Sequence, residues 1–346
     1  MTAAAPWVLG VDSGGSGLRV TLAPAVGAAG RHTRVSREPV RTGEAGIDAG
    51  HLMGQLAPMA RELLAEVEVD TDTDADADAG RERTVGGAAD AGAAISAVAV
   101  GAAGMATLGG DLRARLPAAL AETFGVRRVA LAADAVTAYA GALGQRPGAV
   151  VAAGTGLIAL GTDLRSWRRA DGWGHLLGDC GGGAWIGRAG LDAAMRAYDG
   201  RRGGSPALLA AAEARFDGPA HELPGKLYPR SDRPAVLASF APEVARCAPH
   251  DPVAAGILRE AAGHIAEAAV AACPSGPEAE VAFTGGLFKM GAPLLVPLEE
   301  ELAARRPGTR AVPAEGDPLD GAVVLARALA AGELRLPHDG RMLHLP

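Results

Sequence analysis

Asp12 closes an apolar run and is followed at once by Ser13, Gly14, Gly15, Ser16 and Gly17, in the stretch VLGVDSGGSGLRVTLA over residues 8–23. A carboxylate beside so little side chain has two readings. One is a tight hairpin turn, where glycine accepts positive φ at low cost. The other is a phosphate site, where backbone N–H groups must come close to an anion and side chains would obstruct them. Four further stretches raise the same question. In AADAVTAYAG, Asp134 stands at a strand end just before a helix, where a carboxylate can face a crevice or cap the helix. VVAAGTGLIAL sets Thr155 between Gly154 and Gly156, a second turn of the same kind. DGWGHLLGDCGGGAWIG packs seven glycines around Trp173 and Asp179, costly to order unless the backbone must approach something closely. In VAFTGGLFKMG, Gly285, Gly286 and Leu287 end a strand ahead of a helix, a shape suited to lying beneath a nucleotide ring.

The elements that must hold these residues follow from periodicity. Residues 7–12 and 18–23 read as two strands, with Arg31–Pro39 a third. Ala49–Glu66 reads as a helix with Leu52, Leu56, Met59, Leu63 and Leu64 spaced for one apolar face. A buried strand (96–104), a helix (111–124), a strand (127–135) and a helix (136–144) complete a β-β-β-α-β-α-β order. The second half repeats it. A glycine-turned strand pair (148–163) is followed by a third strand in SWRRADGW and a long helical region. Then come a strand (281–288), a helix (292–305), a strand (309–315) and a helix (318–332). Two copies of one α/β unit, each opening with a glycine-turned hairpin, predict a duplicated fold with a cleft between its halves. The acidic stretch 66–92 reads as a solvated surface loop, since its near-match to a calcium loop sets Val85 where a bidentate Glu is required. Residues 201–275 read as an added helical block.

Composition narrows the function. A chain of 346 residues predicts two domains. A net charge of −7 with only 3% aromatic residues argues against nucleic acid as a partner. No apolar run reaches membrane-span length, and the first residues, MTAAAPW, lack the basic region of a signal peptide. Cys180, Cys247 and Cys273 are too far apart in sequence for a zinc or iron–sulfur motif and suit a reducing cytoplasm. Cys180 has nothing nearby to make it a nucleophile, and His175 reads as structural. Trp173 could equally be a core residue, and Asp179 a helix cap.

Order and spacing together carry a resemblance over nearly the whole chain. It resembles the actin/hexokinase/Hsp70 ATPase superfamily and, within it, the BadF/BadG/BcrA/BcrD group that contains the amino-sugar kinases. GVDSGGSGLRV is similar to that group's first phosphate loop, AAGTG to its second, TGGLF to its adenosine motif, and DGWGHLLGD to its amino-sugar loop. The resemblance implies a duplicated actin-like (ribonuclease H-like) α/β fold of two domains with an interdomain active-site cleft. One domain would be 1–144 plus 333–346, the other 145–332. It implies ATP and Mg²⁺ as cofactors, an amino sugar as substrate, and Asp134 as the base that takes the proton of a sugar 6-hydroxyl. Asp12 would hold Mg²⁺, mainly through water. Ser13, Gly14, Gly15, Ser16, Gly154, Thr155 and Gly156 would surround the phosphates, and Gly285, Gly286 and Leu287 the adenine. Glu44, Asp48, Asp134, Thr155, Gly172, Trp173 and Asp179 would line the sugar.

The sequence departs from the N-acetylglucosamine kinase pattern in three places. Leu157 replaces a serine after GTG, GDCGG replaces GDEGS, and the chain contains no asparagine to read an acetamido group. Glu44 and Asp48 stand in the loop where that asparagine belongs, and carboxylates favour a cationic amine. Glucosamine is therefore the expected substrate and N-acetylglucosamine the alternative, and the Arg- and Ala-rich composition suits an actinobacterial type. A dehydratase-activating ATPase would need cysteines for an iron–sulfur cluster, and a non-enzymatic sugar sensor would not need Asp134. A homodimer stays open.

Overall fold

The computed structural model of the chain describes residues 6–15, 17–27, 30–43, 46–77, 94–276 and 279–346, with backbone alone over 69–77. Ser16, Glu44 and most of the acidic stretch lie outside the described residues. The described part of that stretch continues the preceding helix to Ala77, where a loop was expected.

The chain divides into two compact units, 1–145 with 315–346, and 146–314. The first holds β1 (Trp7–Gly14), β2 (Gly17–Pro24), β3 (His32–Ser36), the short pair β4 (Thr42–Gly43) and β5 (Gly46–Ile47), and α1 (Ala49–Ala77). Then come β6 (Ile95–Ala102), α2 (Met105–Leu108), α3 (Gly110–Phe124), β7 (Val129–Ala133) and α4 (Asp134–Leu143). The second holds β8 (Gly148–Ala153), β9 (Leu157–Thr162), β10 (Trp167–Asp171), α5 (Gly183–Tyr198), α6 (Pro206–Arg215), α7 (Leu223–Leu227), α8 (Arg233–Ala238) and α9 (Ala241–Cys247). It closes with α10 (Pro252–Ala272), β11 (Glu280–Thr284), α11 (Ala292–Arg305) and β12 (Arg310–Pro313). Helix α12 (Pro318–Ala331) and β13 (Leu343–His344) return to the first unit.

The two main sheets share one plan. The first runs β13-β7-β6-β1-β2-β3 and the second β10-β9-β8-β11-β12. In each, an antiparallel meander of three strands continues into parallel strands: β1 beside β6 and β6 beside β7, β8 beside β11 and β11 beside β12. The expected duplication is thus present, and the fold is the two-unit actin-like α/β architecture. Helices α6–α10 are the added block expected at 201–275.

Buried residues follow the predicted periods. Helix α1 buries Leu52, Leu56, Ala60, Leu63 and Val67, one stripe at helical spacing. Helix α3 buries Leu112, Leu116 and Leu120. Helix α4 is buried from Ala135 to Leu143, a run of Ala, Gly, Val and Thr with one Tyr and one Leu.

Two further expectations are corrected. The strand expected at 281–288 ends at Thr284, because Gly285 takes φ 108° and turns the chain into a short 3₁₀ helix, Gly286–Met290. The helix at 318–332 was expected with the second domain, but it packs on β1 and α4 of the first unit. Small residues allow that approach: a Cβ on Gly10 of β1 would come within 2.7 Å of Val323 on α12.

Candidate active site

In the first unit the site residues gather at the carboxyl edge of the parallel strands. Register aligns Ser13 of β1 with Ala102 of β6, and Ala102 with Ala133 of β7. Asp12 and the Gly14–Gly15 turn therefore share an edge with Asp134, two strand spacings away, about 10 Å. This edge is where ligands bind in open α/β sheets. Asp134 is the first residue of α4 and the one exposed residue of that helix. Its Oδ1 accepts the Ala135 N–H at 2.9 Å, and its carbonyl accepts the Thr137 hydroxyl at 2.9 Å, which fixes the first turn.

The β1–β2 hairpin separates the two readings of its glycines. A Cβ on Gly17, where φ is 127°, would overlap the Ser36 carbonyl oxygen, so packing alone demands glycine there. A Cβ on Gly14 or Gly15 would meet no atom of the described residues within 4 Å. Neither glycine is demanded by packing; Gly14 pairs with Gly17 in the ladder, and the exposed Gly15 leaves its bare backbone open to an approaching anion. Ser13 is buried, and its carbonyl accepts the Ala103 N–H.

Asp12 faces its cross-strand partner Arg19. Arg19 gives Nε and Nη2 to Asp12 Oδ2 at 3.0 and 2.7 Å, and Nη1 to Asp317 Oδ2 at 2.6 Å. Asp317 was not singled out from the sequence. It is the N-cap of α12, its Oδ1 accepting the N–H groups of Leu319 and Asp320, while Asp320 bonds back to the Asp317 N–H. The signal was legible in D-P-L-D: a capping residue, proline at the first helical position and a carboxylate three residues on. Burial pushes Asp12 above the usual carboxylate range, although Arg19 pulls the other way. Burial likewise opposes the Arg19 charge, but its bonds to Asp12 and Asp317 outweigh it and raise its pKa. Arg19 stays a cation throughout and lies between the two carboxylates.

These donors suit Mg²⁺, a hard cation commonly held by one or two carboxylates, with substrate phosphates and water supplying the rest. Among the described residues there is no cluster of three or more His, Cys, Asp and Glu that would form an all-protein cage. Asp48, expected at the sugar, caps α1 instead: its Oδ1 accepts the His51 N–H at 3.0 Å, which also lowers its pKa.

In the second unit the Gly154–Gly156 turn joins β8 to β9 and is bolted to the start of α5. The Gly183 N–H donates to the Gly154 carbonyl at 2.9 Å and the Ala184 N–H to the Thr155 carbonyl at 2.8 Å. A Cβ on Gly154 would again meet no atom of the described residues within 4 Å, and Thr155 is exposed. Gly285 sits against Ala153 at the head of this turn, and Gly286 has open space beside it. Leu287 buries its side chain in the core, so its expected place beside an adenine is open only to its backbone.

The glycine-rich loop after β10 is built by two aspartates with positive φ, Asp171 at 58° and Asp179 at 55°. The Asp171 carboxylate accepts the N–H groups of Asp179 and Cys180, at 2.6 and 2.9 Å. Asp179 accepts the N–H groups of Gly174 and Leu157, and its Oδ2 packs against Gly156. It ties loop to turn, and burial followed by the nearby Asp171 charge pushes its pKa up. Asp171 carries no motif and was missed. Trp173 is not a core residue. It is 64% exposed, and the Arg169 guanidinium lies 4.2 Å from its ring centre. Arg169 also donates to the carbonyls of Asp171 and Gly172, so the indole is presented on a braced loop. Gly172 packs on Ile158, which leaves no room for a side chain. Cys180 is a thiol, raised by burial and by Asp171 and Asp179. Among the described residues no helix is long and apolar enough to cross a membrane.

Comparison with known proteins gives the family and the fold. The profile of the BadF/BadG/BcrA/BcrD ATPase family matches residues 9–326. The N-acetylmuramic acid/N-acetylglucosamine kinase of Clostridium acetobutylicum is 41% identical over 69 residues, 20% of this chain and 22% of that enzyme. A solved structure of a candidate N-acetylglucosamine kinase from Chromobacterium violaceum is 28% identical, with TM-score 0.60 over 94% of this chain and 99% of the other. A second such candidate, from Porphyromonas gingivalis, has TM-score 0.64 at 17% identity over 93% and 98%, a likeness of fold.

Proposed function

Because the chain belongs to the BadF/BadG/BcrA/BcrD ATPase family, we propose that it moves the γ-phosphoryl group of ATP to the 6-hydroxyl of an amino sugar, foremost glucosamine. The observation that carries this reading is Asp134, exposed at the head of a buried helix, on the same sheet edge as the Asp12–Gly15 turn. Phosphoryl transfer asks the protein for position and charge more than for covalent help. In the proposed reaction the Asp134 carboxylate takes the hydroxyl proton, the sugar oxygen bonds to phosphorus, and ADP leaves. Backbone N–H groups of the Gly14–Gly15 and Gly154–Gly156 turns that are not already spent, those of Gly15, Thr155 and Gly156, donate to phosphate oxygens, the Gly154 N–H being held by the Gly156 carbonyl. Mg²⁺, when bound, neutralises phosphate charge, and Asp12 is its protein carboxylate.

The relatives named above support an amino sugar, and so does the braced Trp173 loop. Glucosamine in particular is supported by the absence of asparagine from the chain. With Asp48 and Asp179 each committed to backbone N–H groups, Glu44 is the carboxylate we assign to the amine.

One observation favours N-acetylglucosamine instead. Gln55 on α1 has both polar atoms of its amide buried without a partner among the described residues, beside a hollow lined by Arg41, Asp48 and His51. An amide both donates and accepts, as reading an acetamido group requires.

A panel of sugars in an ADP-release assay tests both readings. Glucosamine is expected to exceed N-acetylglucosamine in kcat/KM by about tenfold or more, roughly 1.4 kcal/mol, and Glu44→Gln to narrow the gap. Equal or better use of N-acetylglucosamine, lost in Gln55→Ala, would replace the first reading by the second. Sugar-independent turnover, or none, would remove both.

A further inference from the structure

Arg19 lies between two carboxylates, Asp12 of the candidate site and Asp317 at the head of α12. It spends Nε, Nη1 and Nη2 on these two, Asp12 of β1 and Asp317, which lies nearly three hundred residues beyond Arg19 itself. All three side chains are partly shielded, with 16% of Asp12, 33% of Arg19 and 48% of Asp317 exposed. Without Arg19, two like charges would share one desolvated edge, an arrangement that calls for a cation. A guanidinium fork fits this need because its donors are fixed in a plane and its charge cannot be lost.

Resting on the kinase reading, we infer that Arg19 is the resident counter-ion of Asp12 and Asp317 and keeps free divalent metal off that pair, so that the nucleotide-free protein holds metal weakly. Arg19 is thus a positioning residue. It sets the Asp12 carboxylate on the hairpin and joins it to the first turn of α12. Metal would compete with Arg19 for the Asp12 carboxylate, whose Oδ2 now accepts two N–H groups, and the cation arriving with nucleotide would have to displace a charge already in place.

The test is Mn²⁺ binding to the nucleotide-free protein, read by electron paramagnetic resonance, with no sugar and no turnover involved. Arg19→Gln removes the charge, and Mn²⁺ affinity is expected to rise at least about tenfold. Adding Asp12→Asn to that variant should abolish the gain, which locates the metal at Asp12. Arg19→Lys, whose ammonium lacks the fork, should give a gain of intermediate size and carries the test if Arg19→Gln does not fold. Wild-type Mn²⁺ affinity in both Arg19 variants would overturn the inference, as would a gain that survives Asp12→Asn. If the metal result holds while no amino sugar is phosphorylated, the substrate reading fails alone. If sugars are phosphorylated and Mn²⁺ binding does not change, the role of Arg19 fails alone.

Discussion

Gly321 of α12 rests against the main chain of Thr137 on α4, so closely that a Cβ on Gly321 would overlap the Thr137 carbonyl oxygen. Gly141 of α4 meets the Asp317 carbonyl in the same way. The crossing sets the first turns of both helices, and with them Asp134 and Asp317. Gly321→Ala gains about 1 kcal/mol of helix propensity but forces a methyl group into a main-chain oxygen that cannot rotate aside. Overpacking costs about 1–3 kcal/mol or more, so a net loss of stability is expected, with a lower midpoint in urea. A raised midpoint would mean the crossing does not constrain these helices.

The glycines of the first hairpin should differ in what they cost. Gly17→Ala strains a φ of 127° and overlaps Ser36, so it should destabilise the fold by about 1 kcal/mol or more. Gly15→Ala has space and should leave thermal stability nearly unchanged while weakening nucleotide binding. Calorimetric titration with a non-hydrolysable ATP analogue reads the second effect. Unchanged affinity in Gly15→Ala would return the turn to a purely structural role.

Asp134→Asn should lower kcat by about 10²–10⁴-fold, the usual scale for losing a general base. Its melting temperature should hardly move, since an exposed substitution rarely exceeds about 0.5 kcal/mol. Sugar and nucleotide should still bind. Turnover at the wild-type rate would take the proton acceptor elsewhere.

What the sequence made legible was local. The strand ends before Asp12 and Asp134 stood out because long apolar β runs stop there, and the glycine pairs marked the turns. The partner of α12 did not stand out, because periodicity reports which face of a helix is buried and nothing about the strand that covers it. Gly285 ended its strand early through a backbone angle that composition does not encode. Asp48 and Asp179 looked free for a ligand, yet both bond backbone N–H groups nearby, a use that short polar side chains serve in any loop. Asp171 had no motif around it. Its role appears only once the loop has folded back so that residues 179 and 180 face it.

Asp179 carries a pH signature. Burial holds its pKa above the ordinary 3.8, so its charge is a cost in the folded state. The stability attached to its protonated form is complete below 3.8 and is lost as pH rises through the folded pKa. Asp179→Asn removes that loss. The stability difference between variant and wild type should therefore shift in favour of the variant over the window just above 3.8 and stay constant near neutrality, with the amplitude damped by water around this half-buried group. Urea unfolding from pH 4 to 7 measures it, and a shift toward wild type would reverse the assigned sign.

The return of residues 315–346 to the first unit has a consequence for the chain as it leaves the ribosome. Synthesis yields the strands of the first sheet early, but the helix that covers β1 arrives more than three hundred residues later. The second unit is one uninterrupted segment and has all its parts before α12 exists. Vectorial synthesis thus reverses the order of numbering. The later-encoded unit is the first able to close its core, while the Asp12 hairpin waits with an uncovered apolar surface, the kind of surface that chaperones hold.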